Sequence, residues 1–198
     1  MTLAITTEQE QLAEAVRQFA ARHAPVDKTR ASFDSIAAGE LPSWWEEFTA
    51  LGFHAVHLPE DTGGQGGTLV DMACVVEAAA GALLPGPLLS TATTSAIASL
   101  AGASAAALVA DLTAGATAAT VLPEQSSVRA ARAGDGWSLR GSSAPTLGIV
   151  AAQRILLAAR SDDGEDLWFV LDPRSPGSGL AIEQQRGTDL CTDIGVLN

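Results

Sequence analysis

Leu51-Gly52-Phe53-His54-Ala55-Val56-His57-Leu58-Pro59-Glu60-Asp61-Thr62-Gly63-Gly64-Gln65-Gly66-Gly67 is the stretch on which the fold turns. Before it, Pro42-Ser43-Trp44-Trp45-Glu46-Glu47-Phe48 reads as a short helix running to Leu51, with Gly52 placed to cap it. Residues 53–58 read as a short extended apolar run, and residues 59–67 as a tight glycine loop. Thr68, with Asp71 three residues on, then starts a helix predicted over 69–83. Pro85-Gly86-Pro87 breaks that helix. Helices thus lead into and out of the segment, and no alternating βαβ pattern surrounds it.

Upstream, Thr7 and Glu10 have capping-box spacing. Leu12, Val16, Phe19 and Ala20 then share one helical face, against Glu8, Glu14, Arg17 and Arg22, until Pro25 ends the helix. Downstream, two Ala-rich helices are expected at about 88–100 and 104–113.

The pattern changes near residue 116. Strands are expected at 117–122, 128–132, 137–140, 153–159, 167–171, 180–184 and 189–197. Gly134-Asp135-Gly136 and Ser161-Asp162-Asp163-Gly164 serve as turns. The expectation is an α+β protein: an all-α domain over 1–115, then an antiparallel β-sandwich or barrel over 116–198. The last residues, Ile194-Gly195-Val196-Leu197-Asn198, read as the middle of a strand. A sheet stopped there leaves an open edge. The β-domain is therefore expected to be incomplete at its C-terminal end, completed by more of the polypeptide or by another chain.

Composition narrows the partners. Apolar residues make up 47% and charged residues 17%, which fits a globular chain. A net charge of −12 repels phosphate backbones and anionic lipid surfaces, so neither nucleic acid nor a membrane is an expected partner. The N-terminus lacks a signal-peptide pattern. The apolar stretch 83–110 is interrupted by Pro85, Gly86, Pro87 and Gly102, so a soluble, cytoplasmic protein is expected. Cys74 and Cys191 lie far apart without a CxxC motif and read as small buried residues rather than a disulfide or metal pair.

Three patterns resemble the acyl-CoA dehydrogenase family. Residues 51–67 are similar to its "LG…PEE-GG-G" segment. Val75-Val76-Glu77-Ala78-Ala79-Ala80-Gly81 with the break Leu84-Pro85-Gly86-Pro87 is similar to the helix that follows, as in actinobacterial members, including those of steroid side-chain breakdown. Gly134-Asp135-Gly136-Trp137-Ser138-Leu139-Arg140-Gly141 resembles its "GDGW-L-G" hairpin, continued by Ile155-Leu156-Leu157-Ala158-Ala159-Arg160. The patterns occur in the family's order and the resemblance covers nearly the whole chain.

The resemblance implies an oxidoreductase acting on the Cα–Cβ bond of an acyl-CoA thioester, with FAD as hydride acceptor and a carboxylate as base. It also implies a homo- or hetero-oligomer of acyl-CoA dehydrogenase-type subunits, with flavin sites across subunit contacts. The family's C-terminal helical domain, which usually carries the catalytic glutamate, is absent from this chain, so no catalytic residue is assigned. Two departures weaken the flavin site. The family's Thr-Glu-Pro-Gly-x-Gly-Ser-type loop is here Val121-Leu122-Pro123-Glu124-Gln125-Ser126-Ser127, without its glycines. Its Trp-Ile-Ser/Thr stretch is here Ala144-Pro145-Thr146-Leu147-Gly148, without the Trp. Thr146 is the one candidate cofactor contact. FAD is accordingly expected to be shared with a partner subunit or lost, and a flavin-free scaffold subunit is the alternative.

Other features read as structural. The 63–67 loop could cradle a phosphate but lacks the Lys-Ser/Thr of a P-loop, and a sharp turn is the plainer reading. His54 and His57, on an extended run, would point to opposite faces and so would not share a metal. Glu77 and Glu124 are not promoted to bases; Glu77 reads as a solvated helix residue. Trp44 and Trp45 are expected not to face the core together. No G-x-S-x-G elbow is present.

Overall fold

The computed structural model describes residues 5–175 and 179–198. Its first half is helical: α1 (Thr7–His23), α2 (Val26–Ala31), α3 (Phe33–Ala37), α4 (Trp45–Ala50), α5 (Leu69–Gly81), α6 (Leu88–Leu100) and α7 (Ala106–Thr113). The strands follow: β1 (Ala118–Val121), β2 (Arg129–Ala133), β3 (Gly136–Arg140), β4 (Thr146–Leu147), β5 (Arg154–Ser161), β6 (Asp166–Leu171), β7 (Ile182–Gln184) and β8 (Ile194–Leu197).

Helix α1 is capped one residue earlier than expected. Thr6 Oγ1 accepts the Gln9 amide at 3.2 Å, and Gln9 Oε1 accepts the Thr6 amide at 3.0 Å. Both registers offered the spacing, and the Thr6–Gln9 pair closes a reciprocal box. Helix α5 starts as expected, with Thr68 and Asp71 capping each other. Gln9 also donates to Asp71 at 2.9 Å, which ties the starts of α1 and α5 together.

The helical core joins Val16, Phe19 and Ala20 of α1 to Phe48, Val75, Ala79 and Leu88. Trp44 and Trp45 both lie in it, at 4% and 5% exposure, contrary to the expectation that only one could. Trp44 precedes α4 as its N-cap, so the two side chains leave the backbone in different directions. Trp44 packs edge-on against Phe19 and Phe48, whereas Trp45 donates its Nε1–H to the Gly115 carbonyl at 3.1 Å.

Residues 53–58 are not extended. Phe53–Ala55 form a turn of 3-10 helix, with the Ala55 amide donating to Gly52 and the Leu58 amide to Ala55. Among the described residues no strand lies alongside in this half, so the amides find carbonyls three residues back.

The second half corrects the all-antiparallel expectation. Strand β5 is central to a mixed five-stranded sheet. It pairs in parallel with β1 and with β2, and antiparallel with β6; the β2–β3 hairpin closes the far side. The chain between β1 and β5 is long enough for a crossover, which parallel pairing demands. A smaller antiparallel sheet has the order β4-β8-β7. Strand β4 was not foreseen, and of residues 189–197 only Ile194–Leu197 is a strand.

One face of β5 carries Ile155, Leu157 and Ala159 into the β-core, while Leu156 joins Leu58, Ala98, Leu108 and Leu112 beneath the helices. The Ala118 amide donates to Thr91 Oγ1 at 3.1 Å, and Thr94 and Thr120 hydroxyls meet at 2.8 Å. Arg154 reaches Asp111 of α7 at 2.7 Å. The helical and strand layers are thus tied along α6, α7 and the starts of β1 and β5.

Candidate functional site

The break after α5 and the segment before β8 face each other across a narrow cleft of about 180 Å³. Its lining includes Leu83, Leu84 and Ser90 from the helical side, and Leu147, Cys191 and Thr192 from the strand side. The Gly86 amide donates to the Cys191 carbonyl at 2.7 Å and spans the two layers. Leu83 has φ +54°, the left-handed region that a branched side chain rarely occupies. The break therefore holds a strained turn at the cleft mouth, with the Leu83 side chain 51% exposed.

Asp193 anchors the other wall. It is 3% exposed. Its Oδ1 accepts the Val150 amide at 2.8 Å, its Oδ2 accepts Ala151 at 3.4 Å, and its carbonyl accepts Gly148 at 2.9 Å. Burial raises its pKa; the bonds from Val150 and Ala151 oppose that rise. The carboxylate is a strut for residues 148–151, with no free oxygen aimed at the cleft. Gly148 has φ +70° and sits against Ser90, where any Cβ would collide with the Ser90 hydroxyl.

Thr146 lies on β4 opposite Gly195 and is 4% exposed. Its hydroxyl donates to the Ala144 carbonyl at 3.0 Å. A flavin contact through this hydroxyl requires it to turn away from Ala144. Residues 122–127 are similarly engaged. Pro123–Gln125 form a 3-10 turn. The Leu122 amide donates to Gln125 Oε1, Gln125 to Leu122, Ser126 to Pro123 and Ser127 to Ser142. Amides that would have to point outward to grip a ligand are used within the loop. The segments facing a flavin in the resembled family therefore do not, by themselves, fit one.

The 63–67 loop is a turn, not a cradle. The amides of Gly64, Gln65, Gly66 and Gly67 donate to the carbonyls of Pro59, Ala55, Leu58 and Val56. At the start of α5 the Asp71 carboxylate already accepts the Thr68 amide, which occupies the place an anion would take. Glu77 is exposed on α5.

His54 and His57 are both buried, and neither is on an opposite outer face. His54 Nε2 donates to the Thr113 carbonyl at 3.1 Å. Ser95 gives its proton to Ala92, so His57 Nε2 is the donor to Ser95 Oγ at 3.0 Å. Each Nδ1 is buried and has no hydrogen-bond partner among the described residues. Desolvation lowers both pKa values, with backbone bonds opposing at His54 and the charge of His54 adding at His57. Among the described residues no group of three His, Cys, Asp or Glu could hold a metal. The cysteines are free; burial raises both thiol pKa values and keeps them protonated at neutral pH.

The cleft is thus largely apolar and bridged by a backbone bond between layers; its polar lining includes the Cys191 thiol, held protonated, and the Asp189 carboxylate, which accepts the Cys191 amide at 2.8 Å. Asp193 and the Gly148–Ser90 contact were missed from sequence; an aspartate heading an apolar strand was the only signal.

The description of the acyl-CoA dehydrogenase N-terminal domain matches residues 6–110. The chain belongs to the acyl-CoA dehydrogenase family. Acyl-CoA dehydrogenase IpdE2 of Mycolicibacterium smegmatis is 38% identical over 88 residues, 44% of this chain and 28% of that protein. Acyl-CoA dehydrogenase FadE34 of Mycobacterium tuberculosis is 35% identical over 102 residues, 46% of this chain and 14% of that protein. A variant of the Tcur3481-Tcur3483 steroid acyl-CoA dehydrogenase superimposes with a TM-score of 0.81 at 25% identity, covering 98% of this chain and 55% of that one. The ChsE4-ChsE5 complex from Mycobacterium tuberculosis gives 0.84 at 20% identity, covering 100% and 55%. The chain spans about half the length of these solved structures. Over the matched part it shares their α+β fold. Among the described residues no helix is long and apolar enough to cross a membrane.

Proposed function

We propose that this chain is a subunit of a FAD-dependent acyl-CoA dehydrogenase, with a helical domain over 1–115 and a β-domain over 116–198. It acts on an acyl-CoA thioester, removing hydrogens from Cα and Cβ, with the base and most flavin contacts supplied from outside these residues. The observation that carries the reading is the inward use of the 122–127 amides and the Thr146 hydroxyl. A family chain that held FAD alone would need those donors free.

The similarity to the two-component Tcur3481-Tcur3483 and ChsE4-ChsE5 proteins supports a partner of the same type. The first of these is a steroid acyl-CoA dehydrogenase, which supports a bulky acyl group. Two further structures of similar fold, an acyl-CoA dehydrogenase from Bacillus anthracis and a glutaryl-CoA dehydrogenase from Mycobacterium smegmatis, are complexes with FAD and FADH2, which supports a flavin cofactor. In this reading Thr146 is the chain's own flavin neighbour.

The test is the visible spectrum of the protein purified alone and after co-expression with an acyl-CoA dehydrogenase-type partner. Flavin absorbance in the complex and none in the lone chain supports a shared site. Stoichiometric flavin with acyl-CoA oxidation by the lone chain refutes it. A colourless complex supports the second reading, a flavin-free scaffold subunit, which the Thr146–Ala144 bond favours.

A further inference from the structure

Arg140, Arg129 and Arg160 stand in one row across three strands. Arg129 is the register partner of Arg140 on β3 and of Arg160 on β5. Register partners share a face, so the row spans about 10 Å at ordinary strand spacing. Like charges directly opposite one another destabilise a sheet. The chain carries 23 acidic residues against 11 basic ones, yet among the described residues no carboxylate pairs with Arg129 or Arg140. Arg160 is satisfied: its Nε meets Asp166 at 2.7 Å and its Nη1 donates to Gly164.

The row is held rigidly. Ser127 Oγ donates to the Ser142 carbonyl at 2.7 Å and accepts the Ser142 amide at 3.1 Å, which clamps the outer ends of β2 and β3. Gly141, at φ +136°, packs so tightly there that a Cβ would lie 2.7 Å from the Ser127 carbonyl oxygen. Arg129 and Arg160 line a depression of about 410 Å³, with Ser126 and Ser127 on one side and Asp162 and Asp166 on the other. Arg140, on the edge strand, is next to Arg129 by register but outside that lining, bordering a second depression with Trp137 and Gly141.

We propose that the unpaired Arg129–Arg140 couple is a binding site for a phosphate or pyrophosphate group. A phosphate between the two guanidinium groups would receive charge-assisted, bidentate hydrogen bonds and remove the like-charge repulsion. Arg160, held by Asp166, sets the field but leaves the contacts to the other two.

The experiment titrates inorganic pyrophosphate into the 198-residue chain by calorimetry at low ionic strength; it requires neither flavin nor a partner subunit. Saturable binding that weakens with added KCl is expected, and at least tenfold weaker binding in R129Q/R140Q. Without ligand the double variant should melt no lower than wild type, because it loses a repulsion; a purely structural pair would melt lower. Asp166→Asn, which frees Arg160, should tighten binding. Adenosine 3′,5′-bisphosphate binding more tightly than pyrophosphate points to the nucleotide end of a coenzyme; equal affinity points to a free phosphate anion. No saturable binding at millimolar pyrophosphate, or unchanged binding in R129Q/R140Q, overturns the proposal.

Discussion

The Asp193 carboxylate holds the Val150 amide at 2.8 Å, 43 residues away in sequence, and so fixes the turn between β4 and β5. Asp193→Ala leaves the part-buried Val150 amide and the buried Ala151 amide unpaired, at roughly 1–3 kcal/mol. The melting temperature should fall by roughly 2–4 °C for each kcal/mol in a chain of this size. Asp193→Asn keeps one acceptor and should lose less at pH 7. The raised pKa sets the pH sign: this group's contribution is greatest below the unfolded value and declines as pH rises through the folded one. The stability of wild type relative to Asp193→Asn should therefore grow as pH is lowered from 7 towards about 4. Urea melts of both proteins across that range check it; a gap that narrows on acidification contradicts the assignment.

His54 and His57 carry the opposite slope. Both are neutral donors in the folded state, with pKa values depressed mainly by desolvation. Their contribution is present above the unfolded value of about 6.5 and is lost as pH falls through the folded values. The urea midpoint of wild type should drop between pH 7 and pH 5. His57→Gln, which takes no proton in that range, should show a smaller drop, although it is less stable at pH 7 through its altered packing on Ser95. An equal drop in both proteins would show that His57 is not among the groups responsible.

Gly148 faces Ser90 with no room for a methyl group and at φ +70°. Gly148→Ala combines a collision with an unfavourable backbone and should destabilise the fold by about 1–3 kcal/mol, or more. Ser90→Gly should relieve the collision while costing about 1 kcal/mol in α6. The double variant should therefore be more stable than the sum of the single changes implies. Thermal melts of the four proteins form the cycle; strict additivity would mean that the strain comes from the backbone alone.

What the sequence reveals depends on how local the cause is. The caps of α5, the Pro-Gly-Pro break and the β2–β3 turn act within a few residues, and all are legible. Helices α2 and α3 were missed because five or six residues display no period. The parallel pairing of β1 with β5 joins Ala118 to Arg154, and no local pattern records it. The burial of both Trp44 and Trp45 depends on where α4 begins, a boundary that shifts a side chain by a third of a turn. At the candidate site the departures at 121–127 and 144–148 were visible as missing glycines and a missing tryptophan. The use of their amides and hydroxyl inside the fold was not visible, because the partners Ser142 and Ala144 are ordinary residues.

Thr146 brings these threads together, since the same hydroxyl either stays on Ala144 or turns to a flavin. Thr146→Val keeps the shape and methyl group but removes the donor. In the lone chain it breaks one buried bond, so a loss of about 1 kcal/mol in urea is expected. In the co-expressed complex the informative readout is the flavin-to-protein ratio. If Thr146 is the chain's flavin neighbour, occupancy should fall several-fold and the flavin absorbance maximum should shift, because a hydrogen bond to the ring is gone. If occupancy and spectrum stay unchanged while stability falls, the hydroxyl serves Ala144 only. The flavin contact must then lie elsewhere in the complex.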